Sequence, residues 1–464
     1  MAAPEDLGTK SSTGEASVAA RTVDIESFLD GVKFGRFHWK VMLICALAMM
    51  VDGFDLALLS WVLPKLSDDF GVPRTSLTWV LMTQQAGMVI GAYFIAPFAD
   101  RIGRKRLLML CLAVVSASCF ITIFTTSVAA LAVCRLLTGM FASSVIANVV
   151  ALASEMAPAK RRSTMVTIVL AGSMPGALLG SGMQAFLLEP FGWHVAFWIG
   201  TALPLLLLPI MYFKLPESPK FLAARDPSDP RIKAIVAELM PEDQDIEIAR
   251  AAPREKKDGG LTLVTDLFRS GLAVPTVLLW LSFVGSFGFI SAALWKTTVF
   301  HDIIGLDWTQ VGLATGLGTI FGAIGMVTIG VMIDRFGFKA IVPSYFFIGS
   351  LGALAMGLFA PGWGMYVALA VNAMTQHAAH AGLASIASTL YPTRNRATGV
   401  GWAYGAGRMT SIVGPMYGVI AIHNNMGAIG YFFLLAAPLA CAALSIWILL
   451  TIHPLRAAHR VGGH

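Results

Sequence analysis

The sequence predicts an all-α membrane protein with twelve membrane-spanning helices in two halves of six. Three observations carry that prediction. First, the 464 residues are 56% hydrophobic and only 13% charged, about half the charged share of a soluble domain, which is too little to clothe a globule of this size. Second, the mean hydropathy is +0.72, and the apolar residues gather into runs of roughly the 20 residues that a bilayer crossing requires. Third, one charged motif recurs at the same place in each half of the chain.

In chain order, the apolar runs place spans at 39–63, 75–99, 106–126, 129–153, 163–188 and 193–213, and again at 272–297, 308–333, 340–360, 362–389, 398–422 and 428–452. Residues 1–38 are polar and mixed, with no apolar core of the length a secretory signal needs, and are expected to form a mostly disordered cytoplasmic tail. The interval 214–270 carries PESPK, DPSDPR, PEDQD and PREKKDGG and reads as a charged cytoplasmic linker with one surface helix near 230–239. The domains are thus the tail (1–38), a first bundle (39–213), the linker (214–270), a second bundle (271–452) and a short cytoplasmic tail (453–464).

Basic residues set the orientation, because Lys and Arg accumulate on the cytoplasmic side. With both termini inside, the outer loops hold only Lys65, Arg74 and Lys296. Arg135 and Arg408 lie within spans, and every other Lys and Arg is cytoplasmic. The net charge of +6 therefore reflects topology, not nucleic-acid binding, since the basic residues do not gather with aromatic platforms. The five cysteines all lie in apolar runs without CxxC spacing and read as small packing residues. No nucleotide-binding, haem or HExxH pattern is present, so the reading is a carrier, not an enzyme, with no cofactor or metal.

The repeat lies at the exits of spans 2 and 8, where Asp100-Arg101-Ile-Gly-Arg104-Lys105 matches Asp334-Arg335-Phe-Gly-Phe-Lys339. This loop resembles the signature of the major facilitator superfamily, with Ala96 where the first copy usually has glycine. Gly87 and Gly91 let helices approach closely, and the Asp100 carboxylate suits an arginine or a neighbouring helix N-terminus. Asp100, Arg101, Arg104, Asp334 and Arg335 are therefore expected to gate the cytoplasmic side.

Ionisable groups inside a bilayer are expensive and mark function. Asp52 and Asp55 sit mid-span in CALAMMVDGFDLALLSWVLP. Two carboxylates three residues apart repel when both are charged in a low dielectric, so the pair suits a proton carrier, most directly at Asp55; the plainer alternative is a buried structural ion pair. Arg408 lies deep in span 11, amid five glycines, and its planar fork suits bidentate capture of a carboxylate. Asp55 and Arg408 belong to different halves and are expected to line one central cavity.

DGFD in span 1, PESPKFL after span 6 and GRMTSIVGP in span 11 together resemble the aromatic acid:proton symporter family. That resemblance implies inward, proton-driven transport of hydroxybenzoate-type acids by alternating access, and it implies that Asp52 and Asp55 are required. It further implies a multi-pass protein of the bacterial inner membrane whose partners are an organic acid, protons and the bilayer, functional as a monomer. A sugar-type or drug carrier of the same fold is the alternative, although a deep arginine suits neither sugars nor cationic drugs. Trp402 and Tyr404 beside Arg408 are candidates to stack on an aromatic ring. His377 and His380 share a face and are candidates to bond a phenol or carboxylate, or simply to pack. Gln84, Gln85 and Asn148 are mid-span amides that could line the cavity. Lys296 stands where the family pattern has an apolar residue. It either snorkels to the outer headgroups or adds a second positive charge that favours substrates with two carboxylates, or with a carboxylate and an acidic phenol.

Overall fold

The computed structural model describes residues 21–23, 25–239, 246–248, 267–268, 271–391 and 396–455. Ten helices are long and apolar enough by composition to cross a membrane. The first half has Arg36–Phe70, Arg74–Ile102, Arg104–Thr122, Val128–Met156, Thr164–Phe186 and His194–Lys214; the second has Ala273–Ile303, Trp308–Phe336, Phe338–Phe359 and Gly427–Ile452. Two further helical stretches complete twelve. One is Trp363–Leu390, made more polar by Asn372, Gln376, His377 and His380; the other is Arg396–Val413 followed by Met416–His423.

Several boundaries differ from the sequence reading. Span 1 runs to Phe70, seven residues beyond its apolar stretch, and Gly71 ends it in the left-handed region at φ 63°. Span 7 continues to Ile303 through a wide final turn. Span 2 opens into a π turn over Gly91–Ile95 and a tight turn over Ala96–Phe98. There Pro97 has no N–H to donate, and its ring crowds the carbonyl four residues earlier. Span 11 breaks at Gly414-Pro415 for the same reason. The tail before span 1 is more ordered than expected: Ile25–Gly31 is helical, with Ile25, Phe28 and Leu29 buried against the bundle. The strand Arg21–Val23 pairs in parallel with Ile246–Ile248 of the linker. The surface helix forms at Pro230–Leu239, and PESPK starts a second short helix, Pro219–Arg225. The expectations for residues 1–20, 24, 240–245, 249–266, 269–270, 392–395 and 456–464 lie outside the described residues.

The repeat extends from motif to packing. In the first half, span 1 packs on span 5, span 2 on span 4 and span 3 on span 6; in the second, span 7 packs on 11, span 8 on 10 and span 9 on 12. The halves meet through spans 5 and 8 and through spans 2 and 11, again related by exchange. Small residues make these approaches possible. A Cβ on Gly53 would sit 2.0 Å from the Ser173 carbonyl oxygen, and one on Gly312 would meet Ala185 at 2.5 Å, so span 1 could not seat on span 5, nor span 8 on span 5, with any larger side chain.

Side-chain bonds between the halves gather at the end away from the described termini. Ser60 donates to the Leu294 carbonyl, Gln184 Nε2 reaches Thr297 Oγ1 at 3.4 Å and Thr315 donates to Gln184 Oε1 at 3.1 Å. Thr309 donates to the Ala185 carbonyl at 3.2 Å, and Arg74 Nε lies 2.8 Å from Asp302 Oδ2. At the terminal end, the ion pairs Arg162–Asp30, Lys40–Glu238 and Arg104–Glu155 tie together the first half and its flanking segments. Among the described residues none of the ion pairs there crosses to the second half. Among the described residues, the side-chain bonds between the halves thus concentrate at the far end.

Candidate functional site

The two aspartates of span 1 have different surroundings. Asp55 is 3% exposed and pairs with Arg135 of span 4, itself fully buried, at 3.2 Å. Arg135 Nη2 also donates to Cys119 Sγ at 3.4 Å, and the Phe197 ring lies 5.1 Å from the guanidinium carbon. Cys119 Sγ in turn stands 3.8 Å from Asp55 Oδ1. Asp55 is therefore held inside its own half, in the ion-pair arrangement that the sequence reading weighed as the plainer one. Asp52 has no ion pair within 4.0 Å among the described residues. Its charge acts on Asp55 and, across the divide between the halves, on Arg408. The structure thus sets Asp52, and not Asp55, opposite Arg408.

Around Arg408 the second half presents aromatic surfaces. Arg408, Tyr404, His377, His380 and Lys296 are each half-buried despite lying well inside their helices. Tyr404, one turn from Arg408, has ring centroids 4.8 Å from Phe283, 6.1 Å from Phe287 and 6.3 Å from His380. Phe287 meets His380 edge-on at 5.0 Å, and His380 Nδ1 bonds Ser286 Oγ at 2.8 Å. Gly407 admits the Phe287 ring, since a Cβ there would meet Cδ2 at 2.4 Å. His377 Nδ1 lies 2.9 Å from its own helix carbonyl at Ala373, and the ring packs on Gly322 of span 8. Lys296 Nζ sits 5.0 Å over the Phe289 ring. Such a surface can hold an anion at a guanidinium, sandwich a ring and exchange polar contacts at its far side.

Other residues singled out from the sequence lie elsewhere. Trp402 stacks on Trp280 at 6.0 Å and is 47% exposed, on a different face of span 11 from Tyr404. Asn148 turns its amide back to the Ser144 carbonyl at 2.7 Å. Gln84 donates to the Asp55 carbonyl at 3.5 Å, and both Gln84 and Gln85 are buried. At the terminal end Asp100 meets Arg104 at 2.6 Å, Arg104 also pairs with Glu155 at 3.1 Å, and Ser218 of PESPK hydrogen-bonds Glu155. Glu217 accepts from the backbone N–H groups of Lys105 and Ser218, each at 3.0 Å. Arg101 lies over Phe98 and Arg335 over Phe336, while Asp334 has no ion pair among the described residues. The sequence reading did not include Phe283, Ser286, Phe287 and Cys119 in the site. The i, i+4 phenylalanines of FVGSFGF on span 7 were a readable signal of a shared face.

A two-fold repeat of six-helix bundles, with charged residues held mid-helix between them, defines a secondary transporter. The family model of the Major Facilitator Superfamily matches residues 45–364 and 299–463. Among curated proteins, the gallate transporter of Pseudomonas putida is 31% identical over 91% of this chain and 94% of its own. The 4-hydroxybenzoate transporter PcaK of Acinetobacter baylyi is 28% identical over 92% of this chain and 94% of its own. Among solved structures, the inward open xylose transporter XylE from E. coli matches with a TM-score of 0.73 at 18% identity, over 91% of this chain and 98% of that one. The chain belongs to the Major Facilitator Superfamily and, within it, to the aromatic acid transporter family; it is a transporter, not an enzyme.

Proposed function

We propose that this protein takes up an aromatic carboxylate of the hydroxybenzoate type together with protons across the bacterial inner membrane, by alternating access. The observation that carries this reading is Arg408, a mid-span guanidinium beside the Tyr404, Phe283, Phe287 and His380 rings, with Asp52 across the divide. Arg408 binds the substrate carboxylate, and Tyr404 with the span 7 phenylalanines covers the ring. When charged, Asp52 competes for Arg408; when protonated, it releases Arg408 to the substrate, so proton and acid travel together. Asp55, paired with Arg135 inside the first half, holds span 1 in place while Asp52 carries the proton. Lys296, His377 and His380 complete the substrate site, with Gln84, Gln85 and Asn148 flanking it at longer range, whereas Trp402 faces Trp280 away from it. Asp100, Arg101, Arg104, Asp334 and Arg335 govern opening at the terminal end. That end is cytoplasmic, with both termini inside, and one copy suffices for transport. The relatives that share nearly the full length, among them a gallate and a 4-hydroxybenzoate transporter, support this substrate class.

The test is uptake of radiolabelled aromatic acids, with xylose as a control, into proteoliposomes under an imposed pH difference. Accumulation of an aromatic acid that collapses with an uncoupler is the expected result. Uptake of xylose and of no acid would overturn the reading.

A further inference from the structure

At the terminal end of the first half, a cavity of about 690 Å³ lies between the starts of spans 1 and 3, the end of span 6 and the surface helix Pro230–Leu239. Lys40, Lys105, Arg106, Lys214 and Arg231 line it, against two acids, Glu217 and Glu238. Both acids are already engaged. Glu217 is buried and accepts from the backbone N–H groups of Lys105 and Ser218, and Glu238 pairs with Lys40. Of the cations, Arg231 pairs with Asp229 at 2.6 Å. Lys105 uses one of its three donors on the Tyr212 carbonyl, at 2.7 Å, a neutral acceptor. Arg106 and Lys214 are exposed and have no ion-pair partner among the described residues. The lining therefore holds unpaired positive charge. Topology alone asks for basic residues at this membrane surface, but not for a walled cavity. This one is closed by the surface helix, whose Ile232, Ile235 and Val236 are buried and whose Glu238 is tied to span 1.

The mouth has the opposite character. Tyr212 and Phe213 at the end of span 6 are 62% and 80% exposed, and Met109 lies one turn inward on span 3. Exposed aromatic rings at the end of a span sit at the headgroup level of a bilayer. We infer that this cavity seats the phosphodiester headgroup of an anionic phospholipid, of the phosphatidylglycerol kind, with an acyl chain leaving along Met109 and Phe213. Arg106 offers the phosphate its two-pronged fork, and Lys214 and Lys105 add charge. Basic pockets among spans recognise anionic lipid in this way. A zwitterionic headgroup brings its own ammonium into a site that is already basic and gains less. A soluble phosphate would meet the same cations but leave the apolar mouth uncovered. The bound lipid touches spans 3 and 6 and the surface helix together, and so fastens that helix to the first half. The inference needs only the membrane setting and does not depend on which acid is carried.

The experiment is native mass spectrometry of the full chain in detergent with equimolar phosphatidylglycerol and phosphatidylcholine of identical acyl chains. It reads the ratio of the two lipids among singly bound species. The parent is expected to prefer phosphatidylglycerol. Near a membrane surface one basic side chain is worth about fivefold in affinity for anionic lipid. Joint Arg106→Ala and Lys214→Ala replacement should therefore lower the ratio by roughly 25-fold, while joint Arg106→Lys and Lys214→Arg replacement should keep most of it. Both side chains are exposed and unpaired, so their loss leaves the fold intact. Equal retention of the two lipids by the parent would overturn the inference, and so would a double alanine variant that keeps the parent's ratio. Displacement of phosphatidylglycerol by inorganic phosphate would assign the cavity to a free anion and overturn the lipid as its occupant. The transport reading stands apart from each of these outcomes.

Discussion

Removing one member of the Asp55–Arg135 pair should destabilise the protein severely, and removing both should restore much of the loss. Arg135 is fully buried and Asp55 nearly so, with 3.2 Å between Nη1 and Oδ1. At an effective dielectric of about 20, two unit charges at that separation attract by about 5 kcal/mol. The guanidinium is otherwise poorly served: Cys119 sulfur and the Phe197 face are weak partners, and Nε is buried without an acceptor. Losing the carboxylate therefore strands a cation in apolar surroundings, at a cost of about 3–5 kcal/mol. Asp55→Leu should lose stability on that scale, and so should Arg135→Met by stranding the acid. The double variant leaves no charge behind and should recover to within about 1–2 kcal/mol of the parent. The assay is equilibrium unfolding of purified protein in mixed micelles, followed by tryptophan fluorescence and read as a double-mutant cycle. Single variants as stable as the parent, or a double variant no better than the worse single, would refute the argument that this pair is mutually required.

The remaining predictions concern transport. Asp52→Asn should abolish accumulation of the acid under an imposed pH difference while leaving counterflow exchange measurable; retained accumulation against the gradient removes Asp52 from coupling. Arg408→Ala should nearly abolish substrate binding, a loss on the order of 2–5 kcal/mol for a buried charge-assisted contact, and Arg408→Lys should fall between; calorimetry on folded Arg408→Ala with unchanged affinity would contradict this. Asp100 pairs with Arg104 and is remote from the aromatic cluster, so Asp100→Asn should slow turnover and leave affinity within a few-fold. Asp302→Asn severs the Arg74 latch between the halves. Both side chains are about a quarter exposed, so the pair contributes at most about 1 kcal/mol. Labelling of cysteines introduced at the far end should therefore rise only a few-fold, and no rise would mean that the latch does not hold that end closed.

Much of the architecture was legible because a bilayer imposes long apolar helices, and the chain writes them plainly. The boundaries were less so. Asp68, Asp69 and Phe70 continue span 1 although Asp lies outside any apolar run, because helical hydrogen bonding does not stop where the hydrocarbon does. Spans 2 and 11 read as unbroken through Pro97 and Gly414-Pro415, where the missing proline N–H breaks both helices, while the Asp100 and Asp334 motifs announced the repeat. Of the candidate site, the in-span charges stood out because each is costly there. The partners did not. Arg135 lies 80 positions from Asp55 in sequence, and no periodicity specifies which acid it meets. Trp402 illustrates the converse error: two residues from Tyr404, it points to another face, where Trp280 receives it. Neighbours in sequence on a helix are not neighbours in space.

The separation of Asp52 from Asp55 is the point at which helix geometry bears on the proposed coupling. Three residues of an α-helix turn the side chain by about 300°, leaving the two carboxylates about 60° apart around the axis. That small angle is enough for one to enter the first bundle and meet Arg135, while the other looks across to Arg408. Asp55 with Arg135 is then neutral as a pair in every state. Asp52 with Arg408 is neutral as a pair only when Asp52 is charged and no acid is bound. Binding the substrate anion to Arg408 with Asp52 still charged leaves one excess negative charge, and protonating Asp52 without substrate leaves one excess positive charge. Either excess must be desolvated if the halves close around it, and an uncompensated charge is expensive in a low dielectric. Counted over Asp52, Arg408, the acid and the proton alone, the empty carrier and the carrier holding both acid and proton balance to zero, and the half-loaded states do not. On this account symport needs no dedicated interlock beyond one carboxylate and one guanidinium placed on opposite halves, because the half-loaded states are excluded by their charge.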